Sequence, residues 1–101
     1  MSHLKVSIYI NEADKWEHRP LYLELLSMLD KHEIANGAAW RAIAGFTYKS
    51  PVATTSIVDI GSKLPLLVQF VDTVEHVEAV LPQLKAMTEG HLIIQESVTV
   101  L

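Results

Sequence analysis

The sequence predicts a two-layer α+β sandwich, with two helices packed on a four-stranded antiparallel sheet and the elements in the order βαββαβ. Three features predict it: apolar and polar residues alternate from Leu4 to Ile10, two stretches carry apolar residues at helical spacing, and Leu64 to Asp72 is nearly continuous apolar sequence. At 101 residues, half of them apolar, the chain is long enough for one hydrophobic core and too short for two, so one domain spanning residues 1–101 is expected.

Leu4, Val6, Ile8 and Ile10 share one face of the first strand, and Lys5, Ser7 and Tyr9 the other. Asn11 to Glu17 is polar and acidic and has neither periodicity, which predicts a loop leading to Pro20, a favoured first-turn helix residue. From His18 to Glu33, Leu21, Leu25, Met28 and Leu29 recur on one helical face, with Leu26 widening the stripe. Asn36-Gly37 breaks that pattern. Ala38 to Tyr48, with Trp40, Ile43 and Phe46, is expected to form the second strand, and residues 49–62, with Pro51, Gly61 and several Ser and Thr, a long connection or hairpin.

Leu64 to Asp72 reads as a central strand, its Pro65 at the front where a strand best tolerates one. Thr73 is placed to cap a second helix carrying Val74, Val77, Leu81, Leu84 and Met87 and ending at Gly90. Pro82 lies inside that helix, and its missing N–H and ring clash predict a kink or a break into two short helices. Leu92 to Leu101, rich in Ile and Val, is the last strand. The resulting order is the split βαβ arrangement of ferredoxin-like folds. A helix of about 16 residues rises roughly 24 Å, close to the roughly 23 Å of a seven-residue strand, so each helix can return the chain across one sheet.

With both helices on one face, the sheet's other face needs a cover. Leu67 and Val71 alternate with Leu66, Val68 and Phe70, so apolar side chains reach the open face whichever parity holds. At about 25 cal/mol per Å², hiding several of them supplies several kcal/mol to self-association before its entropic cost. A homo-oligomer is therefore expected, against the alternative of scattered surface hydrophobes on a monomer.

Composition removes several function classes. The net charge of −4 argues against nonspecific attraction to nucleic acid, and neither central strand carries the basic and aromatic signature of RNA binding. No apolar run approaches the roughly 20 residues of a membrane span, and the N-terminus lacks a signal-peptide pattern, so a cytoplasmic protein, not inserted in a membrane, is expected. There is no cysteine, no Gly-x-Ser-x-Gly and no Gly-x-x-x-x-Gly-Lys loop, so an enzyme is not favoured. The histidines at positions 3, 18, 32, 76 and 91 form no i, i+4 pair, and no cofactor or metal is expected. Two alternatives stay open: a small cofactor-free ferredoxin-like oxygenase or isomerase working through His18 or His32, and a metal-binding trimer, with Glu12, Asp14 and Glu17 as an acidic loop beside Trp16.

Several segments look familiar in order and spacing: Tyr9-Ile10-Asn11-Glu12, Ile34 to Ala38, Arg41 to Phe46, Leu64 to Asp72, Leu81 to Leu84, Glu89-Gly90 and Glu96-Ser97-Val98. Together they resemble the PII-like family filed as domain of unknown function 190, over almost the whole chain. The resemblance implies a homotrimer with its sheets turned inward and effector clefts between subunits. It also implies that an adenine nucleotide (ADP, AMP or ATP) or another small anion binds there and acts through a loop at residues 47–62 on a partner. That partner would be a membrane transporter, for example of ammonium or bicarbonate, or a metabolic enzyme.

The effector residues expected on this basis are Glu12, Arg41, Gly45, Phe46, Thr47, Lys49, Gly90 and His91. Arg41 is a planar fork of donors suited to phosphate or carboxylate, or equally to an intersubunit salt bridge. Gly45-Phe46 suits close backbone approach and packing of a ring on adenine, or a hairpin end with a core phenylalanine. Thr88 to His91 is a phosphate-side loop or an ordinary helix end. Lys49 and Lys63 are phosphate or partner contacts or solvated lysines.

Overall fold

The computed structural model describes residues 3–47, 50–55 and 63–101. The first strand, β1, spans His3–Asn11, and its Leu4, Val6, Ile8 and Ile10 are all buried, as the alternation predicts. A small hairpin follows, in which β2 (Lys15–Trp16) pairs with β3 (Arg19–Pro20) where a plain loop and the first helical turn were expected. Its two-residue turn puts Glu17 and His18 at φ of 50° and 70°, the left-handed conformation a tight hairpin needs, without the Asn-Gly or Asp-Gly pair that signals such a turn in a sequence.

Helix α1 therefore begins at Leu21 and runs to Lys31, burying Leu21, Leu25, Met28 and Leu29. It ends by reversal at Glu33 (φ 61°), with the Ile34 amide donating to the Leu29 carbonyl and the Glu33 amide to that of Asp30.

Strand β4, Ala38–Arg41, is shorter than the predicted 38–48. It pairs antiparallel with β7 (Pro65–Thr73) until Arg41 faces Leu66 and the Ala42 amide donates to the Pro65 carbonyl. Pro65 has no N–H to return, so the ladder stops there. The chain then forms β5 (Ala44–Gly45), which pairs with β6 (Ala53–Thr54); β5 falls within the expected second strand and β6 within the expected connection, while Tyr48, Lys49 and residues 56–62 lie outside the described residues.

Helix α2, Val74–Met87, starts at Thr73, whose hydroxyl accepts the His76 amide, and buries Val77, Val80, Leu84 and Met87. It is not broken at Pro82: the carbonyl deprived of a partner belongs to Glu78, on the exposed side of the helix where water can serve it. The last strand, β8, spans Leu92–Val98 rather than continuing to Leu101, because its described pairing with β1 ends where Val98 faces His3.

The four-stranded sheet has the order β4-β7-β1-β8, all antiparallel, with β7 central as expected. That is the ferredoxin-like strand order. Both helices cover the face bearing Val6, Ile8, Val68 and Phe70. Register fixes the opposite face: Trp40 pairs with Leu67, Leu67 with Tyr9 and Tyr9 with Leu92, which makes one transverse row of large apolar side chains across all four strands. Trp40 is 60 % and Leu92 59 % exposed. The next row, Gln69, Ser7 and Ile94, is more polar, with Gln69 Nε2 donating to Ser7 Oγ at 3.1 Å.

Among the described residues no helix is long and apolar enough to cross a membrane.

Candidate functional site

The apolar row lies beside a cleft of about 460 Å³. Tyr9, Pro65, Leu66 and Leu92 form its sheet side, Phe46 and Thr47 close it from beyond β5, and Gly90, His91 and Asp14 supply the remaining wall. The cleft exists because three chain reversals meet at one end of the sheet: the β1–β2 turn, the segment after β5, and the α2–β8 turn.

His91 is held between two acceptors. Its Nδ1 lies 3.2 Å from the Thr88 carbonyl and its Nε2 2.9 Å from Asp14 Oδ2. With both ring nitrogens turned to protein oxygens, the imidazole is held in place from two sides. Thr88 anchors the helix end below it, its hydroxyl donating to the Leu84 carbonyl at 2.7 Å. Gly90 has φ of 84°, and a Cβ there would meet nothing within 4 Å, so glycine is required by backbone conformation and not by crowding. Gly45 differs. A Cβ on it would lie 3.2 Å from Pro65 Cγ, at a φ of 156° that side-chain-bearing residues rarely adopt, so glycine lets β5 pack closely on the cleft's proline.

Asn11, buried at the end of β1, organises the floor. Its Oδ1 accepts the Ala13 amide at 2.9 Å in an Asx turn, and its backbone amide donates to Asp14 Oδ2 at 2.8 Å. Its Nδ2 donates to the Lys63 carbonyl at 2.7 Å and faces Thr47 Oγ1 at 3.2 Å and Ser50 Oγ at 3.5 Å.

Of the eight expected effector residues, Phe46, Thr47, Gly90 and His91 line this one cleft, and Gly45 packs behind it. Glu12 and Arg41 do not line it. They face each other at 3.5 Å on the neighbouring edge, Arg41 largely exposed, while Glu12 Oε1 also accepts the Leu64 amide at 3.2 Å. Lys49 lies outside the described residues.

The acidic loop does not gather as a cluster: Asp14 turns to His91, Glu12 to Arg41, and Glu17 sits exposed in the β2–β3 turn. Among the described residues no group of three or more His, Asp or Glu is placed to hold a metal. His18 is exposed in the same turn, and His32 Nε2 lies 3.2 Å from Gln83 Oε1 on the helix surface, so neither lines the cleft. The sequence reading gave Asn11 no role of its own and took Asp14 only as part of an acidic loop for a metal, not as a wall of the cleft.

The chain is thus a ferredoxin-like domain with a cleft at the sheet end, next to a sheet face that neither helix covers. The fold matches that of CPII, a nitrogen regulatory PII-like protein from Thiomonas intermedia K12, with a TM-score of 0.68 at 14 % identity, covering 97 % of this chain and 87 % of that one. That structure was solved bound to ADP, AMP and bicarbonate. The chain belongs to the family described as DUF190, Uncharacterized ACR, whose model matches residues 3–100. Among its relatives, a UPF0166 protein of Methanocaldococcus jannaschii is 29 % identical over 79 residues, 78 % of this chain and 72 % of that protein. A UPF0166 protein of Aquifex aeolicus is 28 % identical over 89 residues, 88 % and 85 % of the two chains.

Proposed function

We propose that this chain is a one-domain, cytoplasmic PII-like regulator that assembles as a homotrimer. An adenine nucleotide or another small anion binds at the cleft, and residues 47–62 carry the signal to a transporter or metabolic enzyme, bicarbonate or ammonium uptake being candidate targets. The observation that carries this reading is the convergence of Phe46, Thr47, Gly90 and His91 on one cleft that opens beside the apolar row of exposed Trp40, Tyr9 and Leu92 and half-buried Leu67. ADP, AMP and bicarbonate on the structurally similar CPII support the ligand class.

The physical roles follow from the side chains. Phe46, 70 % exposed, and Tyr9 present aromatic surface on which a base can stack. Tyr9, Asp14 and His91 are the titratable groups among the described lining residues, so no lysine or arginine of that lining neutralises a phosphate. Arg41 does so once it exchanges its loose, largely solvated contact with Glu12 for the anion, across the seam with a second copy. Copies meeting through the apolar row bring such cations to the cleft's mouth.

Calorimetric titration with ATP, ADP, AMP, cyclic AMP and bicarbonate tests the reading. It predicts saturable heat with at least one nucleotide and slower amide exchange in the segments flanking residues 48–62. Absence of heat with all five, together with unchanged exchange, overturns it.

A further inference from the structure

We infer that Asn11 is a positioning residue that couples the cleft to both stems of the 47–62 connection, by sharing one amide hydrogen between the hydroxyls of Thr47 and Ser50. The carboxamide nitrogen carries two hydrogens but faces three acceptors. The Lys63 carbonyl, at 2.7 Å, takes one of them. Thr47 Oγ1 at 3.2 Å and Ser50 Oγ at 3.5 Å compete for the other.

The two competitors differ in what they touch. Thr47 lines the cleft, whereas Ser50 does not. A ligand that turns the Thr47 side chain into the cleft moves Oγ1 away from Asn11 Nδ2 and leaves the hydrogen to Ser50. Ser50 is also tied to Thr47 through its own amide, which donates to the Thr47 carbonyl at 2.8 Å, so a change at one of the two residues is passed to the other. Discrete alternatives of this kind, rather than graded deformation, let a small event at a site bias a loop.

Asn11 is held on its other side by the cleft as well. Its backbone amide donates to Asp14 Oδ2 at 2.8 Å, and His91 Nε2 lies 2.9 Å from that same oxygen. A continuous polar chain therefore runs from His91 through Asp14 and Asn11 to Thr47, Ser50 and Lys63, joining the α2–β8 turn to both described ends of the connection. Asn11 is buried, so water does not substitute for these partners. The inference rests on the regulatory reading of the cleft for its ligand, but the coupling is a property of the unliganded protein.

Residue-resolved amide exchange on the full chain tests it, read at Ser50 and at Leu64, whose amide donates to Glu12 Oε1. Without ligand, His91→Ala is expected to speed exchange at Ser50 at least threefold while the β1–β7 ladder keeps its wild-type protection. His91→Gln, which retains an N–H for Asp14, restores most of it. Unchanged exchange at Ser50 in His91→Ala with the ladder intact overturns the coupling. If His91→Ala loosens the ladder, Asp14→Asn read at the same amides decides by the same criterion.

With ADP as the probe, Ser50→Ala is expected to bind within about twofold of wild type yet lose the ligand-induced slowing at Leu64; retention of that slowing overturns the shared-hydrogen arrangement. A wild-type protein that gives no heat with ADP counts against the nucleotide reading, and the ligand-free comparison still judges the coupling.

Discussion

His91 Nε2 and Asp14 Oδ2 lie 2.9 Å apart although 77 positions separate the two residues. The contact ties the α2–β8 turn to the turn after β1 and so fixes one wall of the cleft. Both side chains are partly exposed, which places the interaction well below the worth of a buried charged hydrogen bond. Asp14→Ala is expected to lower stability by about 1 kcal/mol in urea unfolding near pH 6. It is also expected to release the His91 ring, seen as a change in its NMR shifts larger than that of any other histidine.

Asp72, the buried carboxylate among the described residues, joins β7, α2 and the segment after α1. Its Oδ2 accepts the Ala35 amide at 2.8 Å, and its Oδ1 accepts the Thr73 amide at 2.7 Å and faces His76 Nδ1 at 2.8 Å. Burial pushes this carboxyl up, but the amides of Ala35 and Thr73 and the His76 ring together outweigh it and leave it below its ordinary value of 3.8. A carboxyl lowered on folding binds fewer protons in the native state, so its stabilisation is complete above the ordinary value and fades as pH falls through the native one. Asp72→Asn is expected to cost about 2 kcal/mol at pH 7. The gap between variant and wild type should narrow below about pH 4 in unfolding curves measured across the acid range.

Glu33 closes α1 in the left-handed conformation at φ of 61°, a geometry that strains a residue with a Cβ by about 1 kcal/mol. Its side chain is exposed. Glu33→Gly is expected to raise stability by up to about 1 kcal/mol, observable as a shift in the thermal midpoint with no change in ligand heat.

Gly90 holds the α2–β8 turn at φ of 84° with open space where a Cβ would point. Gly90→Ala should therefore cost about 1 kcal/mol through backbone strain alone, and Gly90→Asn less, because asparagine tolerates that region. Comparing the two by chemical denaturation separates conformation from crowding.

Periodicity made the core legible. Leu21, Leu25, Met28 and Leu29 on α1, and Leu4, Val6, Ile8 and Ile10 on β1, are local patterns whose apolar members are all buried, with Ser7 buried besides on the other face. Thr73 as a cap was equally local, needing only its reach to the His76 amide. The β2–β3 hairpin was not legible, since Glu17 and His18 adopt left-handed conformations that neither residue type announces. The second strand was read too long because its end is set by Pro65 on another strand, 23 residues on from Ala42, and not by anything in its own sequence. Pro82 was read as a kink or a break into two short helices; the helix runs through it as one element, and the Glu78 carbonyl it leaves without its partner lies on the exposed side.

The cleft was half legible for the same reason. Phe46, Thr47, Gly90 and His91 came from the family resemblance, and the fold places them together. Asn11 and Asp14 acquire their meaning from partners 36 to 77 positions away, which no local pattern encodes.

The regulatory account turns on whether the sheet face carrying Trp40, Leu67, Tyr9 and Leu92 is covered by further copies of the chain. Sedimentation velocity of the purified, untagged protein at micromolar concentration tests this directly. A single species with three times the mass of one chain is the predicted result; a well-folded species with the mass of one chain would contradict it.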